Sequence, residues 1–332
     1  MNVAVVILNW NGRELLEQFL PSVVDHSKNE ATIYVADNAS TDDSVLYLKD
    51  NFPDVRIIQN STNGGYAKGY NDALKNLSED IFVLLNSDVE VSQNWLTPII
   101  IEFKKDKNLV AAQPKILNHN KKEYFEYAGA AGGFIDQLGY PYCRGRVFDT
   151  LEKDTGQYND IAEIFWATGA CLFVKKDSYR AVKGLDEDFF THQEEIDLCW
   201  RLKAKGGTIK YIGESHIYHV GGATLNTANS KKTFYNFRNT LLMLLKNVKG
   251  YNVWFLILMR LVLDGIAGVQ FFFQGKWKHT IAIIKAHFSF YRLIPTFMVK
   301  RKKHASRMKY YSIKSIVWNY FIRKNRTFNE LK

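Results

Sequence analysis

Val3-Ala4-Val5-Val6-Ile7-Leu8-Asn9-Trp10-Asn11-Gly12 opens the chain and decides its fold class. Six apolar residues, four of them β-branched, form a strand without polar alternation, as expected of a strand buried on both faces. The polar residues behind it sit where an α/β sheet binds ligands, at the carboxyl ends of its strands. Asn9-Trp10-Asn11-Gly12 also lacks the G-x-G-x-x-G needed beside a dinucleotide pyrophosphate, which argues against a dehydrogenase.

Residues 32–36, 55–59 and 81–85 are further apolar runs of strand length, with amphipathic helical stretches between them. This βαβα alternation predicts an α/β domain with a mostly parallel central sheet and helices on both faces. Ser40, with Asp43 three residues on, reads as an N-cap leading into a helix over Ser44–Asn51. Beyond residue 108 the alternation decays into mixed strands and a Gly- and aromatic-rich stretch, 129–145, where an acceptor site could be built.

The 332 residues, 46% of them hydrophobic, are enough for one large domain plus an appendage. Three cysteines far apart fit a reducing cytosol, and the amino terminus shows no secretory pattern. The net charge of +10 is unevenly divided. Residues 231–332 hold 21 Lys and Arg against two acids, formally +19, which leaves −9 for residues 1–230. We expect a globular domain over 1–230 and a basic, helical, membrane-associating region over 231–332.

Four groups of residues carry chemistry. Asn86-Ser87-Asp88, directly after the fourth apolar run, reads either as an ordinary turn or as an oxygen ligand for a divalent cation bridging a diphosphate. Asn63-Gly64-Gly65 precedes a helix predicted over 68–76, as a flexible connection or as amides approaching a phosphate. Six acids lie between Asp186 and Asp197, and Leu198, Leu202 and an Asp197–Arg201 i,i+4 pair mark a helix that Gly206-Gly207 closes. Glu194 and Glu195 occupy its first turn, either complementing the helix dipole or supplying a general base. His216 and His219 fall on opposite faces of a strand, one a possible metal ligand and the other structural.

Asn9-Trp10-Asn11-Gly12, Asp37-Asn38-Ala39-Ser40-Thr41-Asp42, Asn63-Gly64-Gly65-Tyr66-Ala67, Leu85-Asn86-Ser87-Asp88, Trp166-Ala167-Thr168-Gly169-Ala170, Glu194-Glu195-Ile196-Asp197 and Tyr218-His219-Val220-Gly221-Gly222 occur in this order. As an ordered set, covering roughly residues 3–245, they resemble the family 2 glycosyltransferases, especially the bacterial rhamnosyltransferase-like group. The resemblance implies a GT-A fold and inverting, metal-dependent transfer of a sugar from a UDP- or dTDP-linked donor, with Mg²⁺ or Mn²⁺. The acceptor would be a hydroxyl of a glycan or polyprenyl-linked molecule in cell-surface polysaccharide synthesis.

Carried over residue by residue, the resemblance puts Asp37 on the nucleotide base and Asn63, Gly64 and Gly65 near the donor, with Asn9, Asn11 and Asn86 beside them. Asp88 becomes the metal-binding end of a D-x-D signature, and His219 a second metal ligand. Glu195 takes the base position, with Glu194 as its competitor, and Trp166, Thr168 and Gly169 lie at the acceptor. Asn86 stands where the signature has its first aspartate, and no Q-x-x-R-W of processive synthases is present. A nucleotidyltransferase and a non-catalytic membrane adaptor are the rival readings. The first would need a basic Gly-rich loop after the first strand, and the second would have no need of Asp88 and Glu195.

Residues 253–273 are long enough to span a bilayer but are interrupted by Arg260 and Asp264. Each of those charges costs about 2.5–3.5 kcal/mol on an insertion scale, nearly cancelling the apolar gain. An interfacial or re-entrant helix is therefore expected at the cytoplasmic face of the membrane. Lys300-Arg301-Lys302-Lys303 would favour an anionic leaflet. Apolar runs beside the charges favour lipid over nucleic acid as the partner.

Overall fold

The computed structural model describes residues 1–221 and 229–331; Gly222 of the last motif lies outside them. The amino-terminal half follows the expected alternation through β1 (Val3–Asn9), α1 (Arg13–Ser27), β2 (Thr32–Asp37), α2 (Ser44–Asn51), β3 (Arg56–Gln59), α3 (Gly65–Leu74) and β4 (Ile81–Asn86). Strands β3, β2, β1 and β4 are parallel neighbours in that order. Along β1, Val3, Val5 and Ile7 pack with Leu16 and Leu20 of α1, while Ala4 and Val6 join Ala67 and Tyr70 of α3 on the other face. A strand buried on both sides has no face for polar residues, so the run is apolar throughout.

Farther along come β5 (Val89–Val91), α4 (Thr97–Lys105), β6 (Leu109–Asn118) and four short strands, β7 (Gly133–Ile135), β8 (Pro141–Cys143), β9 (Arg146–Val147) and β10 (Thr150–Leu151). They are followed by β11 (Ile161–Glu163), β12 (Cys171–Lys175), α5 (Lys176–Ala181), α6 (Glu194–Ala204) and β13 (Thr208–His219). β12 inserts antiparallel between β4 and β6, and β13 runs parallel to β6. The sheet is therefore mixed, and its parallel order is confined to the first four strands plus the β6–β13 pair. Strands β7–β10 form a small separate antiparallel sheet. Tyr142 and Val147 of that sheet pack on Ile316 and Tyr320 of the carboxyl-terminal segment. The 129–145 stretch thus closes a second core instead of lining a ligand cavity.

Two local expectations are corrected. Ser40 does not cap α2, because its hydroxyl accepts from the Asn11 amide (2.9 Å) and from Asn9 Nδ2 (3.2 Å). Helix α3 starts at Gly65 rather than 68, since Gly65 adopts φ +76° and turns the chain into the helix there.

The carboxyl-terminal region is helical: α7 (Ser230–Asn247), α8 (Asn252–Phe273) and α9 (Trp277–His304). Ten consecutive residues of α7, Arg238 to Asn247, are buried, and Leu241 to Leu245 belong to the same core as the β1–α3 face. Residues on either side of position 230 therefore share one core. A buried ionic network fastens the join. Lys246 Nζ lies 2.6 Å from Asp186 and 2.8 Å from Asp197, Arg201 Nε lies 2.7 Å from Asp197, and Asn247 Nδ2 donates to the other Asp197 oxygen at 2.8 Å. Lys300 of α9 binds Asp186 and Asp188. Three of the six acids read as one functional cluster are thus structural ion-pair partners.

Removing one member of such a network strands a buried charge, at a cost of about 3–5 kcal/mol. Lys246→Met is expected to lose stability of that order in denaturant unfolding, with Lys246→Arg retaining more of it.

Candidate active site

A cavity of about 940 Å³ opens at the carboxyl ends of β1, β2 and β4. Of the residues singled out from the sequence, Asn11, Asn63, Gly65, Asn86, Asp88, Thr168, Gly169, Glu194, Glu195 and His219 line it. Asn9, Asp37, Gly64 and Trp166 are not among the lining residues. Asp37 is fully buried, and its carboxylate accepts from Asn9 Nδ2 (3.1 Å), the Ser40 amide (3.0 Å) and Gln59 Nε2 (2.5 Å). Asn9 and Asp37 thereby tie together the loops after β1 and β2, which carry Trp10, Asn11 and Asn38 into the cavity wall. Trp166 lies flat against Gly133, where a Cβ would come within 2.0 Å of the indole, and its Nε1 donates to the Phe134 carbonyl at 2.9 Å. It is a core residue in this arrangement.

The α3 amides do not face open space. Those of Tyr66 and Ala67 point at the Phe190 carbonyl (3.0 and 3.4 Å), and the Gly65 amide at Asn63 Oδ1 (3.0 Å). The first turn is thus capped from within the chain, and no phosphate is needed to satisfy it.

On one wall, His219 at the end of β13 places Nε2 3.1 Å from Asp88 Oδ1 and 3.4 Å from Asn86 Nδ2. His219 Nδ1 lies 3.3 Å from Glu126 Oε2, and all three charged groups are buried. Burial opposes a charge on the imidazole, but the flanking Asp88 and Glu126 carboxylates outweigh it and push its pKa up to about 10. Burial likewise raises Asp88, and the hydrogen bond and charge of His219 together with backbone hydrogen bonds more than offset this, holding the carboxyl below its usual range. Asp88 and His219 offer an oxygen and a nitrogen of the kind a divalent cation takes and would hold one only after the imidazole gives up its proton; among the described residues no group of three or more such side chains gathers for a metal. His216 is the structural partner: its backbone carbonyl accepts from Ser92 Oγ.

The opposite wall is the amino terminus of α6. Gln193 is left-handed (φ 73°), and from it both Glu194 and Glu195 reach the cavity, although they are adjacent in sequence. The cavity wraps the end of the helix, which is why one carboxylate does not exclude the other. Glu194 Oε2 and Glu195 Oε2 are buried without a hydrogen-bond partner among the described residues. Desolvation raises Glu195 to about 7, and desolvation together with the neighbouring Glu195 drives Glu194 well above the normal carboxyl range.

Glu126, Tyr66, Phe190, Lys231, Lys232 and Tyr235 also line the cavity and stood in no sequence-derived role. Tyr66 fixes the Gly169 carbonyl through its hydroxyl at 2.7 Å.

The family model "Glycosyl transferase family 2" matches residues 4–170. The chain belongs to this family. This family 2 glycosyltransferase is 24% identical over 230 residues to N-acetylglucosaminyl-diphospho-decaprenol L-rhamnosyltransferase of Mycobacterium tuberculosis, covering 65% of this chain and 75% of that one. Among solved structures, GalNAc-T7 with UDP, GalNAc and Mn²⁺ superposes with a TM-score of 0.59 at 16% identity, over 76% of this chain and 49% of that one. The glycosyltransferase thus spans about half the length of that structure. The mannosyltransferase PcManGT of Pyrobaculum calidifontis, with GDP-Man and Mn²⁺, gives 0.52 at 13% identity, over 90% and 84% of the two chains. Both share the GT-A fold.

A carboxyl whose folded pKa is raised binds more protons folded than unfolded, so its contribution to stability falls as pH rises from about 4.3 toward the folded value. Glu194→Gln and Glu195→Gln are each expected to raise Tm relative to the parent by about 2 °C or more at pH 8. The gain should shrink at pH 5, where the parent carboxyls are protonated. A gain independent of pH would mean that the two carboxylates are not desolvated.

Proposed function

We propose that this glycosyltransferase inverts the anomeric centre of a UDP- or dTDP-linked sugar as it transfers the sugar to a hydroxyl of a glycan or polyprenyl-diphosphate-linked acceptor. The observation that carries the reading is that one cavity is lined both by the Asp88–His219 pair and by Glu194 and Glu195, each of which holds one buried carboxylate oxygen without a partner among the described residues. The acceptor class rests on the mycobacterial relative, whose name specifies a diphospho-decaprenol acceptor. In cell-surface polysaccharide synthesis such acceptors are membrane-bound.

Glu195 is the base. A group that titrates near 7 accepts a proton at neutral pH and matches the operating range of a general base. Glu194 beside it is raised well above the usual carboxyl range by burial and by Glu195, so the two carboxyls titrate as a pair and do not readily ionise together. The acceptor oxygen forms its bond to the anomeric carbon from the face opposite the leaving group, its proton passes to Glu195, and the diphosphate departs with the electron pair. Mg²⁺ or Mn²⁺, held by Asp88 and His219, would supply charge stabilisation to that diphosphate. Glu126, behind His219, orients the imidazole from its other nitrogen. Asn11, Asn38, Asn63 and Trp10 form the nucleotide end of the cavity, with Asp37 acting beneath them as the brace of that end.

Thermal stabilisation by UDP or dTDP should require Mn²⁺ and disappear in Asp88→Asn. Nucleotide affinity with Mn²⁺ unchanged in that variant would remove Asp88 from the metal site. Glu195→Gln should lower turnover by about 10² or more with donor affinity unchanged, and Glu194→Gln should be milder. The reverse order would make Glu194 the base.

The carboxyl-terminal helices support a membrane-bound setting. Arg260 and Asp264 of α8 are buried and paired at 3.2 Å, and Arg260 stacks over Tyr140. With both charges turned inward, the outer face presents Phe255, Leu258, Val262, Ile266, Val269 and Phe273, each more than half exposed. Exposed Trp277, Ile284 and Phe288 of α9 add to the apolar surface, and Lys276, Lys278, Lys285 and Arg292 accompany them. We propose that this face lies in the cytoplasmic leaflet, with residues 231–332 as the membrane-associating part of the chain. Ile266→Glu with Phe273→Glu should abolish binding to anionic liposomes while nucleotide-dependent stabilisation persists. Binding retained in the double variant would place the lipid contact elsewhere.

A further inference from the structure

Phe190 stands in a conformation that its own backbone disfavours. Its φ is 65°, and His192 and Gln193 behind it are also left-handed. Non-glycine residues hold such angles only where the surroundings impose them, and they gather at functional sites. Here the surroundings are explicit. Asn239 Nδ2 of α7 approaches the carbonyls of Phe189 (3.0 Å), Thr191 (2.9 Å) and His192 (2.7 Å), and Arg238 Nη2 reaches those of Asp188 and Phe189. On the other side, a Cβ on Gly65 would fall 2.7 Å from the Phe190 ring, so only glycine leaves room for the ring there.

This arrangement sets an aromatic ring at the cavity wall with 40% of the residue still exposed. Burial of the ring cannot be its purpose, since Phe189 next to it is fully buried in the core. Tyr235 of α7 lies beside it with ring centroids 5.6 Å apart and planes within 18° of parallel, and it too lines the cavity. The two rings stack on one another as an aromatic pair in the cavity wall, Phe190 four residues before Glu194 and five before Glu195, and the pair's outer face is what it offers to a ligand.

We propose that Phe190 and Tyr235 form a stacking platform for the sugar ring of the acceptor. A pyranose presents a face of C–H groups that packs on an aromatic plane, while its hydroxyls remain free to reach a carboxylate beside that plane. The position selects the acceptor over the nucleobase. What stacks next to the base must offer the hydroxyl that the base deprotonates, and the carboxyl end of β1 has its own exposed ring, Trp10. Tyr235 belongs to the helix that leads into the apolar α8–α9 surface, the side from which a lipid-linked sugar would arrive. The assignment rests on the transferase reading above and adds the acceptor subsite to it.

Saturation-transfer NMR tests it without knowledge of the natural acceptor. The probes are the methyl glycosides of N-acetylglucosamine, glucose, galactose, mannose and rhamnose, each added to the full chain with diamagnetic Mg²⁺ and the nucleoside diphosphate that stabilises it. At least one glycoside is expected to receive saturation on the protons of one ring face. That signal should fall about fivefold or more in Tyr235→Leu, persist in Tyr235→Phe, and fall in Phe190→Leu, with base-proton signals of the nucleotide unchanged throughout. No transfer to any glycoside from a chain that still binds nucleotide would overturn the platform and leave the donor reading standing. Loss of the nucleotide base signals in Tyr235→Leu would assign the platform to the nucleobase instead. Equal losses in Tyr235→Leu and Tyr235→Phe would show that the ring does not stack. Circular dichroism matching that of the parent confirms that each variant is folded.

Discussion

Hydrogen bonds from α7 to the carbonyls of residues 188–192 are the constraint on which the rest of the site depends. Phe190, His192 and Gln193 are left-handed in succession with one residue between, and each such angle costs on the order of 1–3 kcal/mol. The turn leaves several carbonyls inside the protein, where an unmet acceptor costs about 1–3 kcal/mol more. Asn239 and Arg238 meet them. With the loop held, α6 begins at Glu194 with both carboxylates in the cavity, and the Phe190 carbonyl is delivered to the first turn of α3. One clamp thus fixes Glu194 and Glu195, the start of α3 and the aromatic wall. Because the clamp lies on α7, that helix is part of the frame of the cavity.

Pairing across the cavity has a similar economy. Asp88 and Glu126 share His219, so two carboxylates that would repel are bridged by one imidazolium. Glu194 and Glu195 have no such cation among the described residues, and their pKa values rise accordingly. Two acidic walls in one cavity are thereby made chemically unlike. One is ionised around a protonated histidine; the other holds two carboxyls that burial pushes toward the protonated form. The separation comes from a single histidine placed by the last residue of β13.

Much of this was legible in the sequence where the governing interactions are local. The β1–β4 alternation follows from runs of apolar residues whose period is set by the backbone. The start of α6 and its Asp197–Arg201 pair follow from i,i+4 geometry. Asp88, Glu195 and His219 stood out because their motifs recur in order. What was not legible depends on partners far away in the chain. Nothing around Gly64 and Gly65 says that the amides after them are already taken by Phe190, and nothing around Trp166 says that Gly133 has been kept bare to receive its ring. Glu126 and Tyr235 sit in no motif, and only the folded sheet brings them to the cavity. Asp186 and Asp188 read as functional because six acids crowd a short stretch, yet their counter-charges, Lys246 and Lys300, lie on helices that follow much later.

The same long-range pairing changes what the basic tail means. A sum over residues 253–273 charges the helix for Arg260 and Asp264 as though lipid surrounded them, and on that basis the apolar gain is nearly cancelled. Within the fold the two are an ion pair on the protein side of α8, with Arg260 also donating to the Leu138 carbonyl. The cost of burying them is met inside the protein, so it does not count against the outer face. That face is then apolar along the whole helix, while the inner face is committed to Tyr140 and α9. With one side of α8 packed on Tyr140 and α9, its length and apolar composition alone do not make it a span. The charge of the tail divides in the same way. Arg238, Lys246, Lys300 and Arg301 point into the body and satisfy its carboxylates and carbonyls. Only the remainder is left to meet an anionic surface, so the formal +19 overstates the charge that a membrane would encounter.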